Sequence, residues 1–248
     1  ATGVERVMEE YCKAGNVEIL LGTKKEKILS EDGRITGVVA KGRTYTCKSL
    51  VLATGGASHK ETGSTGDGFG WLTGLGHTVS DPTPSIVPLA VREGWVKSLA
   101  GITLEAMKIH FYVDGVKKFS KSGRLLFTHF GLSGPLILNS SKQVADLLHE
   151  GAVTAKIDVQ PTRDFQALEK YILALFDEHK NKTLKNICKE FVPPGMTSAV
   201  LAFFDESLQE KKVHSVTKEE RREIIHLLKA MPLSVKGLMG FDRAVVAD

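Results

Sequence analysis

Apolar residues recur with two different periods along the chain, and the change of period orders it. Val4, Val7, Met8 and Tyr11 stand at helical spacing between charged positions, and Gly15-Asn16 makes a stop, so a short amphipathic helix is predicted over 4–14. The run VEILLG (17–22) then reads as a strand. After it, the turn signals Asp32-Gly33 and Lys41-Gly42 divide a β-rich stretch into a three-stranded meander near 24–30, 34–41 and 43–48. Leu50-Val51-Leu52-Ala53 is apolar throughout and closed by Thr54-Gly55-Gly56, the pattern of a strand buried on both faces of a parallel sheet.

Phe69, Leu72 and Leu75 return to helical spacing within 66–76. Pro82, Pro84 and Pro88 then interrupt the pattern, which marks a boundary near residue 84. A second β-rich stretch (IVPLAV, MKIHFYVDGVKKFS, RLLFTHF, AVTAKIDVQ) contains one predicted helix, GPLILNSSKQVADLLHEG, started by Pro135. From Asp164 the period is helical, with helices predicted over DFQALEKYILALFDEHK, TLKNICKEFV, MTSAVLAFFDESLQ and TKEERREIIHLLKAM. The last opens on Thr217 with Glu220 three positions on, a capping box. Four segments follow: 1–84, 85–162 (β-rich), 163–236 (helical) and 237–248.

Composition adds exclusions. The 33 Lys+Arg against 29 Asp+Glu divide as 10 and 10 up to about residue 84 and 23 and 19 beyond it, with no run that would mark a nucleic-acid partner. Cys12, Cys47 and Cys188 are too few and too scattered for a disulfide framework or a zinc site, so no metal is expected. No run reaches the ~20 apolar residues of a membrane span, and the default setting is a reducing cytoplasm.

Candidate chemistry concentrates in residues 50–77. Glycines after a buried parallel strand let backbone approach a ligand, and Gly66-Asp67-Gly68 opens a helix whose free N–H groups favour an anion. A glycine-rich connection without a ligand, with Asp67 as a helix cap, is the alternative from the residues alone. In the run Phe127–Pro135, Gly-Leu-Ser-Gly-Pro lacks the Gly-x-Ser-x-Gly of a nucleophile elbow, and Ser133 reads as an N-cap. His129 and His59 are weak catalytic candidates, for proton transfer or simply as structural histidines. His77, after Gly76, reads as a helix-end cap, and Lys218–Glu223 as a solvated face with i,i+4 pairing.

VLATGG followed by TGDG and a helix resembles the flavoprotein superfamily of fumarate reductase and aspartate oxidase. More closely, ATGGASHKETGSTGDGFGWLTGLGHTVSDPTPSIVPL, GRLLFTHFGLSGPLILNSS and PLSVKGLMGFDRAVVAD resemble, in order, the bacterial family of predicted NAD(P)/FAD-dependent oxidoreductases that includes bile-acid reducing proteins and aminoacetone oxidases. The resemblance implies a partial, Rossmann-like FAD-binding domain with a β-meander (1–84 and 237–248), into which a domain with a β-barrel-like half and an all-helical half is inserted. The fold class is thus α+β with an α/β portion. It also implies that Ala53, Thr54, Gly55, Gly56, Gly66, Asp67 and Gly68 lie against FAD, that the substrate is a small molecule, and that NAD(P)H is a candidate electron donor.

No GxGxxG fingerprint occurs in the chain. The sequence therefore looks like the central part of a flavoprotein, whose partners include the remaining flavin-domain segments, and by itself it is expected not to retain FAD. The rival reading is a non-enzymatic interaction module that presents the apolar stripes of its helices to a partner.

Overall fold

The computed structural model describes residues 2–247. The chain forms two compact units, one running to Thr54 and including Asp67–Val79, the other holding Gly55–Gly66 and the chain from Ser80 onward.

In the first unit, helix α1 (Thr2–Ala14) ends where the Gly15 N–H donates to the Tyr11 carbonyl at 3.0 Å and Asn16 turns left-handed at φ 54°. Strands β1 (Lys25–Glu31), β2 (Arg34–Ala40) and β3 (Arg43–Thr46) form the antiparallel meander. Both hairpin turns carry positive φ at each central residue, Asp32 and Gly33 in one, Lys41 and Gly42 in the other. That is the primed turn geometry whose twist matches the flanking strands. Helix α2 (Asp67–Gly74) follows.

Two predicted strands are corrected. Residues 17–22 and 50–53 are irregular chain, with Leu21 83% and Val51 85% exposed. A strand exists only through hydrogen bonds to a neighbour, and among the described residues no strand pairs with either run.

In the second unit, β4 (Pro84–Ser85) pairs with the distant β11 (Val246–Ala247). Strands β5 (Leu89–Val91), β6 (Thr103–Val113), β7 (Val116–Thr128), β8 (Gly131–Ser133), β9 (Val153–Asp158) and β10 (Met231–Leu238) close an antiparallel barrel in the order β10-β5-β8-β7-β6-β9. Its interior is filled by alternate residues, among them Leu89, Ile109, Phe111, Leu125, Phe127, Leu132 and Ile157, all fully buried. Gly131 allows closure, because a Cβ there would collide with the Leu89 carbonyl on the neighbouring strand. Strand β10 was not legible as a strand in the pattern reading, although Met231, Leu233 and Val235 alternate with more exposed residues. Short helix α3 (Gly94–Ser98) places Trp95 on the barrel, its ring 6.1 Å from that of Phe127.

The single helix predicted over 134–151 is two, α4 (Pro135–Leu138) and α5 (Ser141–Glu150). The Ser140 and Ser141 hydroxyls donate to the Leu136 and Leu138 carbonyls, at 2.7 and 2.9 Å, and such local bonds compete with helix continuation. Ser133 is not the N-cap. It ends β8, and Gly134 precedes the helix at φ 88°, with Pro135 in the first turn as expected.

The helical part comprises α6 (Phe165–Glu178), α7 (Leu184–Phe191), α8 (Thr197–Leu201), α9 (Glu206–Glu210) and α10 (Lys218–Lys229). The helix predicted over 196–209 is broken because Asp205 starts a new one, its carboxylate accepting the Leu208 N–H at 2.8 Å. The predicted capping box is present, with Glu220 accepting the Thr217 N–H and Thr217 accepting the Glu220 N–H. The charged tract 218–223 pairs outward rather than along its own helix, Glu220 with Lys211 and Arg221 with Glu169. The apolar stripes of α6, α7 and α10 are buried within the unit, including Ile172, Ile187, Phe191 and Leu228.

Barrel and helices meet at an ion pair. Lys229, at the end of α10, lies 2.6 Å from the Asp158 carboxylate at the end of β9, and both side chains are largely buried, at 11% and 7% exposed. The remaining Lys229 hydrogens go to the Gln160 and Arg163 carbonyls, and Asp158 also accepts the Gln160 N–H at 2.9 Å.

Lys229→Met is expected to lower unfolding stability by about 3–5 kcal/mol in urea titrations, because it leaves a buried carboxylate uncompensated; a loss under 1 kcal/mol would show the pair to be dispensable. The Lys211 ammonium, with the Thr217 N–H, holds the Glu220 carboxyl below its usual range despite some burial. A lowered folded value gives stability that is present above the unfolded value near 4.5 and lost as pH falls through the folded one. Glu220→Gln should therefore flatten the acid limb of the stability–pH curve below that value and leave its neutral limb parallel to wild type.

Candidate functional site

The glycine-rich segment 55–66 belongs to the second unit and is folded on itself. Gly55 is left-handed at φ 71°, and a Cβ built there would stand 2.5 Å from the Ser64 hydroxyl. The chain then enters a single 3₁₀ turn, Lys60–Thr62, entered by left-handed His59 (φ 55°) and left by Gly63 (φ 94°). Two threonine 62 groups, the N–H and the hydroxyl, both donate to the His59 carbonyl at 2.8 Å, which holds His59 in that uncommon conformation. The imidazole Nδ1 lies 2.9 Å from a Glu61 carboxylate oxygen. Glu61's own N–H and then His59 hold its carboxyl below the usual value.

This loop lines two clefts. One, of about 380 Å³, is walled by Gly56, Ser58, His59, Thr62, Ser64, Val245 and Val246, so the start of β11 and the residue before it supply its apolar side. The other, of about 220 Å³, is formed by Ala57, His59, Lys60, Glu61, Phe241 and Asp242. His59 borders both. Ser58 is the informative wall residue. It is 7% exposed, and its hydroxyl has no hydrogen-bond partner among the described residues, a state that costs about 1–3 kcal/mol unless a bound group satisfies it.

The other expected site residues are placed as follows. Ala53 is exposed and Thr54 half-buried in irregular chain of the first unit. The Thr54 hydroxyl occupies the space that a Cβ on buried Gly68 would need, so the start of α2 packs directly on Thr54. Gly66 is left-handed at φ 80°, and Asp67 stands exposed in the first turn of α2 with no partner for its carboxylate among the described residues. His129 lies exposed in the turn between β7 and β8, edge-on to Phe130 at 4.9 Å, without a hydrogen bond among the described residues. Phe130 in turn lies under the Arg243 guanidinium at 5.3 Å. His77 donates its backbone N–H to the Leu72 carbonyl at the end of α2 and lines a separate cleft of the first unit with Leu50, Leu52, Leu72 and Leu75. Burial pushes the Cys188 thiol up to about 12, so it is an inert core group. Ser58 and the β11 wall were missed in the sequence, since neither residue type nor spacing distinguishes a buried serine from a solvated one.

A closed antiparallel barrel, a helical cluster sealed to it, and a strained glycine-rich loop under the returning β11 define a barrel-and-helix module with a ligand-sized cleft. Residues 83–246 match the model of the HI0933-like protein barrel and H2TH domain, and the chain belongs to that family. It is 25% identical over 251 residues to a 3-dehydro-bile acid delta(4,6)-reductase of Clostridium scindens, covering 99% of this chain and 60% of the relative. It is 24% identical over 252 residues to a ribosomal RNA dihydrouridine synthase of Haemophilus influenzae, covering 98% and 59%. A synthase of the same description from Escherichia coli is 27% identical over 190 residues, covering 77% and 44%. The chain thus spans about three-fifths or less of the length of these relatives.

Gly55→Ala is expected to lower urea-unfolding stability by about 1–2 kcal/mol through the left-handed backbone alone. Adding Ser64→Gly should recover only the steric excess beyond that figure.

Proposed function

We propose that the complete protein is a flavin-dependent reductase that delivers hydride to a carbon–carbon double bond activated by a neighbouring carbonyl, with FAD held partly by the 55–66 loop. The observation carrying the cofactor assignment is the buried, unpartnered Ser58 hydroxyl in the wall of a cleft that Gly56 lines with bare backbone. Such a wall fits the polar edge of a planar heterocycle.

Bound FAD would supply the hydride chemistry, which belongs to the cofactor. The protein's part is positional. Within the second unit, Ser58 offers one hydroxyl, Gly55 and Gly56 offer backbone, and Val245 and Val246 exclude water from one side. His59, tied to Glu61, is the nearest proton-carrying side chain, and His129 is a weaker one. The reaction class is our own extension from two relatives, a 3-dehydro-bile acid delta(4,6)-reductase and a ribosomal RNA dihydrouridine synthase. No observation on this chain supports NAD(P)H as the donor. The interaction-module reading loses its feature, because the helical stripes are buried in their own core.

The full-length protein should absorb near roughly 450 nm after addition of FAD, and Ser58→Ala should weaken FAD retention about fivefold to tenfold, as for a lost hydrogen bond of about 1–1.5 kcal/mol. A colourless full-length protein in excess FAD would sink the proposal.

A further inference from the structure

Along the sequence the four surplus positive charges look too few and too dispersed to mean anything, but the barrel gathers unpaired cations on one outer face. Strand register sets the arrangement. On β6, Ile109, Phe111 and Val113 point into the core, so Lys108, His110 and Tyr112 take the outward positions. Ser122 and Ser120 of β7 stand opposite Lys108 and His110, and Lys117 opposite Tyr112. On the other side, Lys156 of β9 stands opposite His110 and Thr154 opposite Tyr112. Lys108, Lys117 and Lys156 therefore share one three-strand surface. None of them has an anionic partner among the described residues, and the Lys156 ammonium lies 5.2 Å above the Tyr112 ring.

Most of the neighbouring acids are committed, although Asp114 in the β6–β7 turn has no ion-pair partner among the described residues. Glu105 pairs with Arg124, Glu150 with Lys118, and Asp158, across from Lys108, with Lys229. Burial, and after it Lys117 and Lys108, push the His110 value down against Asp158, which raises it; the His110 Nδ1 sits 2.6 Å from the Ser120 hydroxyl.

We propose that this outer face of β6, β7 and β9 docks the phosphodiester backbone of a nucleic acid, independently of the flavin site. Diagonal neighbours on a sheet face are about 7–8 Å apart, so each ammonium can meet a different phosphate while the serine and threonine hydroxyls donate between them. Tyr112 is half-buried under Lys156, so its ring backs the lysine and is not itself a stacking platform. The outward positions carry no large aliphatic side chain to insert among lipid tails, which disfavours a membrane surface.

The test is fluorescence anisotropy of the 248-residue chain with a labelled RNA hairpin and a DNA duplex of equal length, at about 0.1 M salt. The triple variant Lys108→Ala/Lys117→Ala/Lys156→Ala is expected to lose about tenfold or more in affinity for the preferred nucleic acid, with the log–log salt slope shallower by about 2 to 3. Arginine at the same three positions should restore binding. The control Lys170→Ala/Lys182→Ala/Lys189→Ala, with the same change of charge in the helical part, should leave affinity within twofold. An equal loss in both triple variants, an undiminished affinity in the first, or tighter binding to phosphatidylserine vesicles than to either nucleic acid overturns the proposal. No flavin is needed for this readout, so it stands or falls apart from the reductase reading.

Discussion

The second unit is organised around a carboxylate that cannot be left alone. Asp158 ends a barrel strand where α10 covers it, and a charge withdrawn from water must find a counter-charge and fill its remaining hydrogen-bonding capacity. Lys229 does the first and the Gln160 N–H contributes to the second, while Lys229 spends its other hydrogens on the Gln160 and Arg163 carbonyls. The constraint is geometric more than energetic, since such a pair gains little over an apolar contact of the same shape. It fixes the end of α10 on the end of β9, and β10 leaves directly from that point to close the barrel beside β9. Helical part and barrel thus share one junction through which the chain passes twice.

Closure of the barrel has a second consequence further along the chain. The segment that leaves β10 returns to pair β11 with β4, which brings Val245 and Val246 against the loop that follows Gly55. That loop is rich in conformations that cost energy, including left-handed His59, and it keeps a buried hydroxyl without a partner. Strain and an unsatisfied polar group in one cleft are what a binding site retains and a merely connecting loop discards.

Much of the fold was legible because its signals are local. The meander is written in two turn dipeptides whose left-handed geometry the structure reproduces, and the start of α10 in Thr217 and Glu220, which need only each other. The failures are equally specific. Residues 50–53 carry the pattern of a doubly buried strand but find no partner among the described residues, and Ser140, Ser141 and Asp205 break helices because their side chains capture backbone groups that periodicity counts as helical. The site was legible only in outline. Glycines at 55, 63 and 66 stand in left-handed backbone, whereas nothing local sets Ser58 apart from the serines on the surface.

The sequence by itself determined which segments turn, which alternate and which wind, since these follow from φ restrictions, side-chain period and capping within a few residues. It also carried the motifs by which the family can be recognised. Only the tertiary structure decided what those segments surround: which hydroxyl lies buried and unpaired, which acids are consumed by distant bases, and that three lysines separated by up to 48 positions along the chain stand on one face. Charge and burial are properties of neighbours in space, and in a closed barrel those neighbours are set by strand register, which brings together residues that the chain keeps far apart.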